Sequence, residues 1–440
     1  MRGLPCVIVM LAMVCAVAGA PVGSTWAGEP PRQVGHSLFA ARRSMSFAGE
    51  TAVGAVTELD RATLRALRAG GVERLVLVDG GTSIVLERQI HELRGTVASW
   101  VGNTPDRRSQ LLLTAGYDHV FGRLVSDSGE TLLVPGPEPF TAKVIRPAPG
   151  FEMELAECGD HDPMPAAAAR SKSTGEVKAA DDGTVIDVMI LYTDGMASAH
   201  PGGQIHTRMQ YLIDQANVSY SNSLIATRLR LVHSAQVAYP DDSPGGMSEA
   251  LYAVRDNVGV FAGVEADRTT YGADQVTLLR QFVDEACGLA GVLTSNNPSR
   301  AYALVHDGFK TNGSGYYCSD FTYAHEVGHN MGCTHDRDHA SGGRFPYSFG
   351  LQAPSGAFRT VMAYASGCGS PCTRVAHFSN PNVTYGGEAT GVAQASPDSA
   401  DNAATINLTR SEMAGYRATG YIFKDGFEIG STGLWSATPP

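Results

Sequence analysis

Between Phe321 and Asp336 the chain reads FTYAHEVGHNMGCTHD, which places His325, Glu326, His329, Gly332 and His335 in the spacing H-E-x-x-H-x-x-G-x-x-H. On a helix, residues i and i+4 leave the same face, so the imidazoles of His325 and His329 emerge side by side and can bind one zinc ion as neutral ligands. Glu326 follows the first of them and can reach a water at the metal as a general base. The helix must then stop and turn for a third ligand to come back to the ion. Gly332 supplies the permissive backbone for that turn, and His335 completes a three-histidine set. Three protein ligands leave the fourth position to water, the arrangement of a catalytic rather than a structural zinc. The bland alternative is an amphipathic helix with solvated or core histidines. A glycine and a third histidine at fixed offsets make that coincidence rare.

With Asp336 directly after the third histidine, the motif resembles that of the metzincin zinc endopeptidases, in their adamalysin or reprolysin branch. The resemblance implies a methionine beneath the metal on a tight downstream turn. FRTVMAYASGCG offers Met362, which would form a soft apolar floor under the imidazoles. Tyr364 departs from the usual adamalysin pattern. It is similar to a tyrosine of astacins and serralysins that touches the metal or stabilises the tetrahedral intermediate. A phenol there could donate to an oxyanion; it could equally line the cleft by packing. Within the reprolysin-like group the chain is similar to bacterial peptidyl-Asp-type metalloendopeptidases. The implied fold is an α/β (α+β) metzincin catalytic domain, with a twisted mixed sheet, the active-site helix packed beneath it, and an antiparallel edge strand that holds extended substrate by backbone hydrogen bonds.

The remaining elements must position these groups. At 440 residues, 43% apolar and 18% charged, the chain is long enough for two to three well-packed domains. A net charge of −11 argues against a nucleic-acid partner. Met1 and Arg2, the apolar run Leu4 to Ala18 and the small residues Ala18, Ala20 and Ala27 read as an export signal over 1–27. The run is too short for a stable membrane span. Its removal takes Cys6 and Cys15 and leaves Cys158, Cys287, Cys318, Cys333, Cys368 and Cys372, which in an exported protein favour disulfides.

Residues 28–180 are expected to form a propeptide and linker, a small α+β or mostly β unit. Leu59, Leu64 and Leu67 suggest a short helix closed by Gly70-Gly71, and Arg74 to Val78 and Ser83 to Glu87 read as strands. From Pro163 to Gly183 the Ala-, Ser- and Lys-rich composition is that of a linker. Just upstream, Glu157-Cys158-Gly159-Asp160 is similar to the cysteine switch of matrix metalloproteinases and adamalysins, in which a thiolate blocks the open zinc position. A structural half-cystine is the other reading, and the cysteine count argues against the switch as much as position argues for it.

Residues 181–420 are expected to hold the catalytic domain, and 421–440 a C-terminal tail. Val185 to Tyr192 is a buried strand pattern, Gln204 to Ser223 a long amphipathic helix, Arg228 to Val237 a strand and Ser248 to Arg255 a helix. Val276 to Phe282 and Tyr302 to His306 are further strands, and Ser399 to Arg417 makes a closing helix. The order is α/β. The stretch after Met362 is loop-rich and is expected to shape the pocket for the side chain after the cut. Cys287 is expected to bond Cys318. Cys333 is expected to bond Cys368 or Cys372; a local Cys368–Cys372 bridge that leaves Cys333 free is the rival. His306, His339 and His377 read as surface or structural residues. Asp336 reads as an orienter of local backbone or a solvated turn.

Together these readings describe a secreted, monomeric zymogen with one catalytic zinc, acting on protein or peptide substrates and on neither nucleic acid nor membrane. A catalytically silent zinc-containing adhesion or binding module is the alternative from another class, and a non-peptidase zinc hydrolase a third. Glu326 beside an open coordination position speaks against the silent module.

Overall fold

The computed structural model describes residues 35–40, 45–48, 52–79, 82–126, 129–147, 152, 183–243, 245–283, 286–369 and 372–417. The chain divides into two compact units, Met1–Pro147 and Ala148–Pro440. The expected export signal 1–27, Cys158 and the expected tail 421–440 lie outside the described residues.

The first unit is mostly β. Its elements are β1 (His36–Ser37), β2 (Met45–Ala48), β3 (Ala52–Glu58), α1 (Arg61–Arg68), β4 (Arg74–Asp79), β5 (Thr82–Arg94), β6 (Val97–Asn103), β7 (Gln110–Ala115), β8 (Val120–Ser126), β9 (Gly129–Pro135) and β10 (Thr141–Pro147). They form one ten-stranded sheet in the order β1-β4-β5-β6-β7-β8-β9-β10-β3-β2. The expected helix begins later than Leu59, because Asp60 caps it by accepting a hydrogen bond from the Thr63 amide at 2.6 Å. Leu64 and Leu67 of α1 join Leu59, Leu75, Trp100, Leu111 and Leu113 in the core.

The second unit is α/β. Its main elements are β11 (Val185–Thr193), α2 (Asp194–Ala199), α3 (Gln204–Asn222), β12 (Arg228–Val237), α4 (Gly246–Asp256), α5 (Val264–Thr270), β13 (Gln275–Gln281), β14 (Gly288–Ala290), β15 (Tyr302–Phe309), β16 (Tyr317–Cys318) and α6 (Thr322–Asn330). There follow β17 (Phe358–Arg359), β18 (Thr373–Arg374), β19 (Thr384–Tyr385), β20 (Glu388–Ala389) and α7 (Asn402–Ala414). The sheet order is β12-β11-β13-β15-β14, with β16 pairing the end of β15. The pairs among β12, β11, β13 and β15 are parallel, and β14 is antiparallel to β15. The sheet is therefore mixed, as expected.

The mostly apolar strand VIDVMILYT of β11 is buried from Ile186 to Thr193 because both faces of the sheet are covered. Met189, Leu191, Val276, Leu278 and Leu304 share one cluster with Ala250, Leu251 and Val254 of α4. The alternate residues Val188, Ile190, Leu279 and Val305 point to the opposite face, and α6 packs against both α3 and β15. The closing helix α7 is shorter than expected. Asp401 caps its start by accepting from the Ala404 amide, and Tyr416 lies past its end. Among the described residues no helix is long and apolar enough to cross a membrane.

Candidate active site

The helix α6 is anchored before it begins. Arg208 of α3 donates from Nε and Nη2 to Asp307 at 2.9 and 2.6 Å, and its Nη2 also reaches Asp320 at 2.6 Å. The Tyr211 hydroxyl donates to the other oxygen of Asp320 at 2.7 Å. All four residues are buried. Two carboxylates bracket one guanidinium, and Asp307 is held well below the usual carboxylate range although burial alone would raise it, because the Arg208 charge and the bonds from His200 and Arg208 outweigh the desolvation. This cluster ties α3, the end of β15 and the entry to α6 together. At its other end, the Asn330 amide nitrogen donates to the carbonyls of Gly291 and Tyr302 at 3.1 Å each.

The helix ends in a Schellman turn. The Gly332 amide donates to His329 O at 2.9 Å and the Cys333 amide to Gly328 O at 3.0 Å. Gly332 has φ +94, and a Cβ there would stand 2.6 Å from Cβ of Arg344. That turn sends the chain back so that His335 faces His325 and His329.

The ligand-capable atoms of His325, His329 and His335 gather in one buried cluster, all within 4.8 Å of one another. Nε2 of His329 lies 3.0 Å from Nε2 of His325 and 3.1 Å from Nε2 of His335. Nδ1 of His325 donates to Val361 O at 3.0 Å, and Nδ1 of His329 donates to Cys333 O at 2.9 Å. A carbonyl can only accept, so these Nδ1 atoms carry the protons and the Nε2 atoms present bare lone pairs. Lone pairs cannot bond one another. A cation between them resolves the arrangement, and imidazoles at roughly 2.0–2.1 Å from one tetrahedral ion would stand about 3.3 Å apart, close to the separations present. Burial, with smaller contributions from the neighbouring rings and the Arg374 charge, pushes His325 and His335 well below the ordinary value of 6.5. Burial brings His329 down to about 4. All three rings are neutral at neutral pH, the state in which imidazole binds a metal.

Glu326 is buried beside the triad. Its carboxylate lies over Gly288 of β14, where a Cβ would come 2.3 Å from Oε1. The absence of a side chain at Gly288 therefore makes the space that Glu326 occupies. Met362 is fully buried, and a Cβ on Gly328 of α6 would meet its sulfur at 2.7 Å. The Ala363 amide donates to Thr360 O at 3.1 Å, closing a tight turn around Val361 and Met362. Met362 thus lies against the helix between the first two histidines.

Asp336 orients backbone. One oxygen accepts from the Tyr364 amide at 2.9 Å, and the other takes the Asp338 amide at 3.2 Å and His339 Nδ1 at 2.7 Å. One buried carboxylate so ties the third histidine's turn to the chain just after Met362. The Tyr364 ring packs against His335, centroids 4.3 Å apart. His306 is fully buried in β15, with Nδ1 on Ala286 O at 2.6 Å. Neither it nor His377 is among the clustered histidines.

Cysteine pairing differs from the sequence-based expectation at one point. Cys287 and Cys318 are bonded as expected. Cys368 and Cys372 bond each other, and Cys333 is a free buried thiol. The Schellman turn aims the Cys333 side chain at α7, where its sulfur lies 3.7 Å from Asn402 O, while its carbonyl serves His329. Burial pushes this thiol well above its ordinary value, and it is not among the clustered metal-ligating groups.

Residues 182–379 match the model of Metallo-peptidase family M12, Reprolysin_5. A peptidyl-Asp metalloendopeptidase of Xanthomonas campestris pv. campestris is 28% identical over 94% of this chain and 99% of its own length. The chain is a metallopeptidase. It is an enzyme that hydrolyses peptide bonds. Peptidyl-Asp metalloendopeptidases of Stenotrophomonas maltophilia strain R551-3 and Pseudomonas aeruginosa are 29% and 28% identical over 59% and 53% of this chain, and the matches span 59% and 40% of those proteins.

Sequence reasoning did not single out Gly288, Arg208 or the carbonyls of Val361 and Cys333 that fix the ring tautomers. A glycine next to Cys287 was the available signal for the first. The others have none in a single sequence, because each depends on a partner distant along the chain.

Proposed function

We propose that this metallopeptidase is a secreted, zinc-dependent endopeptidase of metzincin type, made as a zymogen. The observation that carries the reading is the convergence of three neutral imidazoles, with His325 and His329 held by Nδ1–H bonds to backbone carbonyls. His325, His329 and His335 would hold the ion. Bound zinc supplies a Lewis acid for the scissile carbonyl and acidifies water to near neutrality. Glu326 takes the proton from the attacking water and returns it to the leaving amine nitrogen. Met362 supports the histidines from below, and Tyr364, packed on His335, would offer its hydroxyl to the developing oxyanion. The edge strand β14, beside Glu326, would pair with extended substrate through its backbone. This explains how peptide is held in register with the carboxylate.

The name shared by the relatives, peptidyl-Asp metalloendopeptidase, supports a preference for an acidic residue at the cleaved bond. In this reading 1–27 is an export signal, 28–180 a propeptide and linker, 181–420 the metzincin zinc peptidase domain and 421–440 a tail. Downstream of Cys158, four cysteines pair and the fifth, Cys333, is buried and free. A Cys158 that leaves with the propeptide is compatible with that count, and its thiolate would serve as the latency ligand. The enzyme would act as a monomer on proteins and peptides, with neither nucleic acid nor membrane as partner. The relatives' names and the placement of Glu326 favour hydrolysis over a silent binding module.

The test is Glu326→Gln, assayed on casein with and without a chelator. The variant is expected to keep its zinc and to lose cleavage by about 10³-fold or more. Turnover retained by the variant, or by the chelated wild type, would refute the assigned roles.

A further inference from the structure

Glu152 is seated between two arginines of the second unit. Arg359 donates from Nη2 to its Oε2 at 2.9 Å, and Arg374 brings Nη1 to 3.2 Å from Oε1. The two guanidinium side chains are only 5% and 1% exposed. They stand side by side because β17 and β18 pair in parallel with Arg359 opposite Arg374. Arg359 is braced further by donating to Cys372 O at 2.6 Å, and the Cys368–Cys372 bridge closes the loop between the two strands.

This socket adjoins the histidine cluster. Arg359 precedes Val361, whose carbonyl holds His325, by two residues. Arg374 lies in the loop-rich stretch after Met362, read from the sequence as the wall of the pocket for the side chain after the cut. At the backbone, Glu152 makes a parallel bridge with Tyr317 of β16. The next residue, Cys318, is bonded to Cys287, directly before Gly288 and the Glu326 carboxylate.

Two buried guanidiniums are costly unless a carboxylate answers them, and their planar forks suit a carboxylate better than any neutral group. Glu152 lies within residues 28–180, the part proposed to leave on maturation. Its departure would vacate the socket. We infer that Arg359 and Arg374 form the pocket that recognises an acidic substrate side chain, and that Glu152 fills this pocket in the unprocessed chain as a built-in competitor. The inference rests on the proposed endopeptidase reading and adds to it the recognising residues and a latency contact separate from Cys158.

The experiment uses the full-length chain carrying Cys158→Ser, so that the proposed thiolate blocks neither form, and compares it with the same chain carrying Glu152→Gln in addition, both zinc-loaded. Quenched peptides are used that differ only in carrying Asp or Asn after the cut. Glu152→Gln is expected to cleave the Asp peptide about tenfold or more faster than the parent, and to prefer Asp over Asn by a similar factor. Adding Arg359→Gln or Arg374→Gln to that variant should bring the Asp/Asn ratio toward one. The ratio is internal to each preparation, so partial misfolding does not mimic the result. If an arginine-to-glutamine variant fails to fold, Arg359→Lys or Arg374→Lys keeps the positive charge and should show a reduced ratio, because the planar fork is lost. An unchanged rate in Glu152→Gln, equal cleavage of the two peptides, or a preference that survives both arginine substitutions overturns the inference while leaving the peptidase reading intact. Failure of every form to cleave either peptide or casein overturns both.

Discussion

At the scale of single residues, the site depends on where small groups leave room and where backbone carbonyls point. Gly288 is the clearest case. A methyl group there would stand 2.3 Å from Oε1 of Glu326 and 2.6 Å from its Cγ and Cδ, so Gly288→Ala must displace the carboxylate. The expected outcome is a fall in kcat of about 10²-fold with metal content unchanged, read by steady-state kinetics alongside metal analysis. Asp336 acts on the metal side, because it holds the third histidine's turn against the Tyr364 amide. Asp336→Ala is expected to weaken metal binding about 10–100-fold, measured by competition with a chromophoric chelator. The histidines also set a pH dependence. Burial lowers His329 from 6.5 to about 4 and lowers its two neighbours as well. The folded, metal-free chain therefore binds fewer protons than the unfolded chain between those values. Its stability is present in full above pH 6.5 and is lost as pH falls toward about 4, which thermal melts of the chelated protein would register as a falling Tm.

At the scale of elements, the helix α6 is fixed at both ends by groups outside it. The buried set of Arg208, Asp307, Asp320 and Tyr211 holds its entry. Removal of Arg208 takes the shared cation from two buried carboxylates, so Arg208→Ala is expected to cost about 3–5 kcal/mol in urea titrations. Arg208→Lys should cost less, since it keeps the charge but not the fork. These ends also mark what a single sequence can disclose. The ligand helix, the turn at Gly332 and the return of His335 were legible because their spacing is local and follows from helix periodicity. The strands β11, β13 and β15 were legible from apolar runs. By contrast β14 is three residues long, too short to show alternation, though it borders Glu326. The partner of Cys333 was misjudged because a Schellman turn, invisible as spacing, aims that thiol at α7. Arg359 and Arg374 gave no signal, since only strand pairing sets them opposite each other and against a glutamate more than two hundred positions upstream.

At the scale of the whole molecule, the two units have separate cores, one built on Trp100 and the leucines of the ten-stranded sheet, the other on the mixed sheet and α4. Metal binds only the second in this account, so chelation should lower one calorimetric transition and leave the other in place; equal shifts of both would contradict it. The enzyme's chemistry comes down to whether three histidines share one ion. Equilibrium dialysis of the full chain and of His335→Ala against buffered zinc measures this most directly. One tightly held zinc per wild-type chain is expected, with affinity lower by about 10²-fold or more in the variant, which keeps only two ligands. Zinc held as tightly by His335→Ala as by the wild type would contradict it.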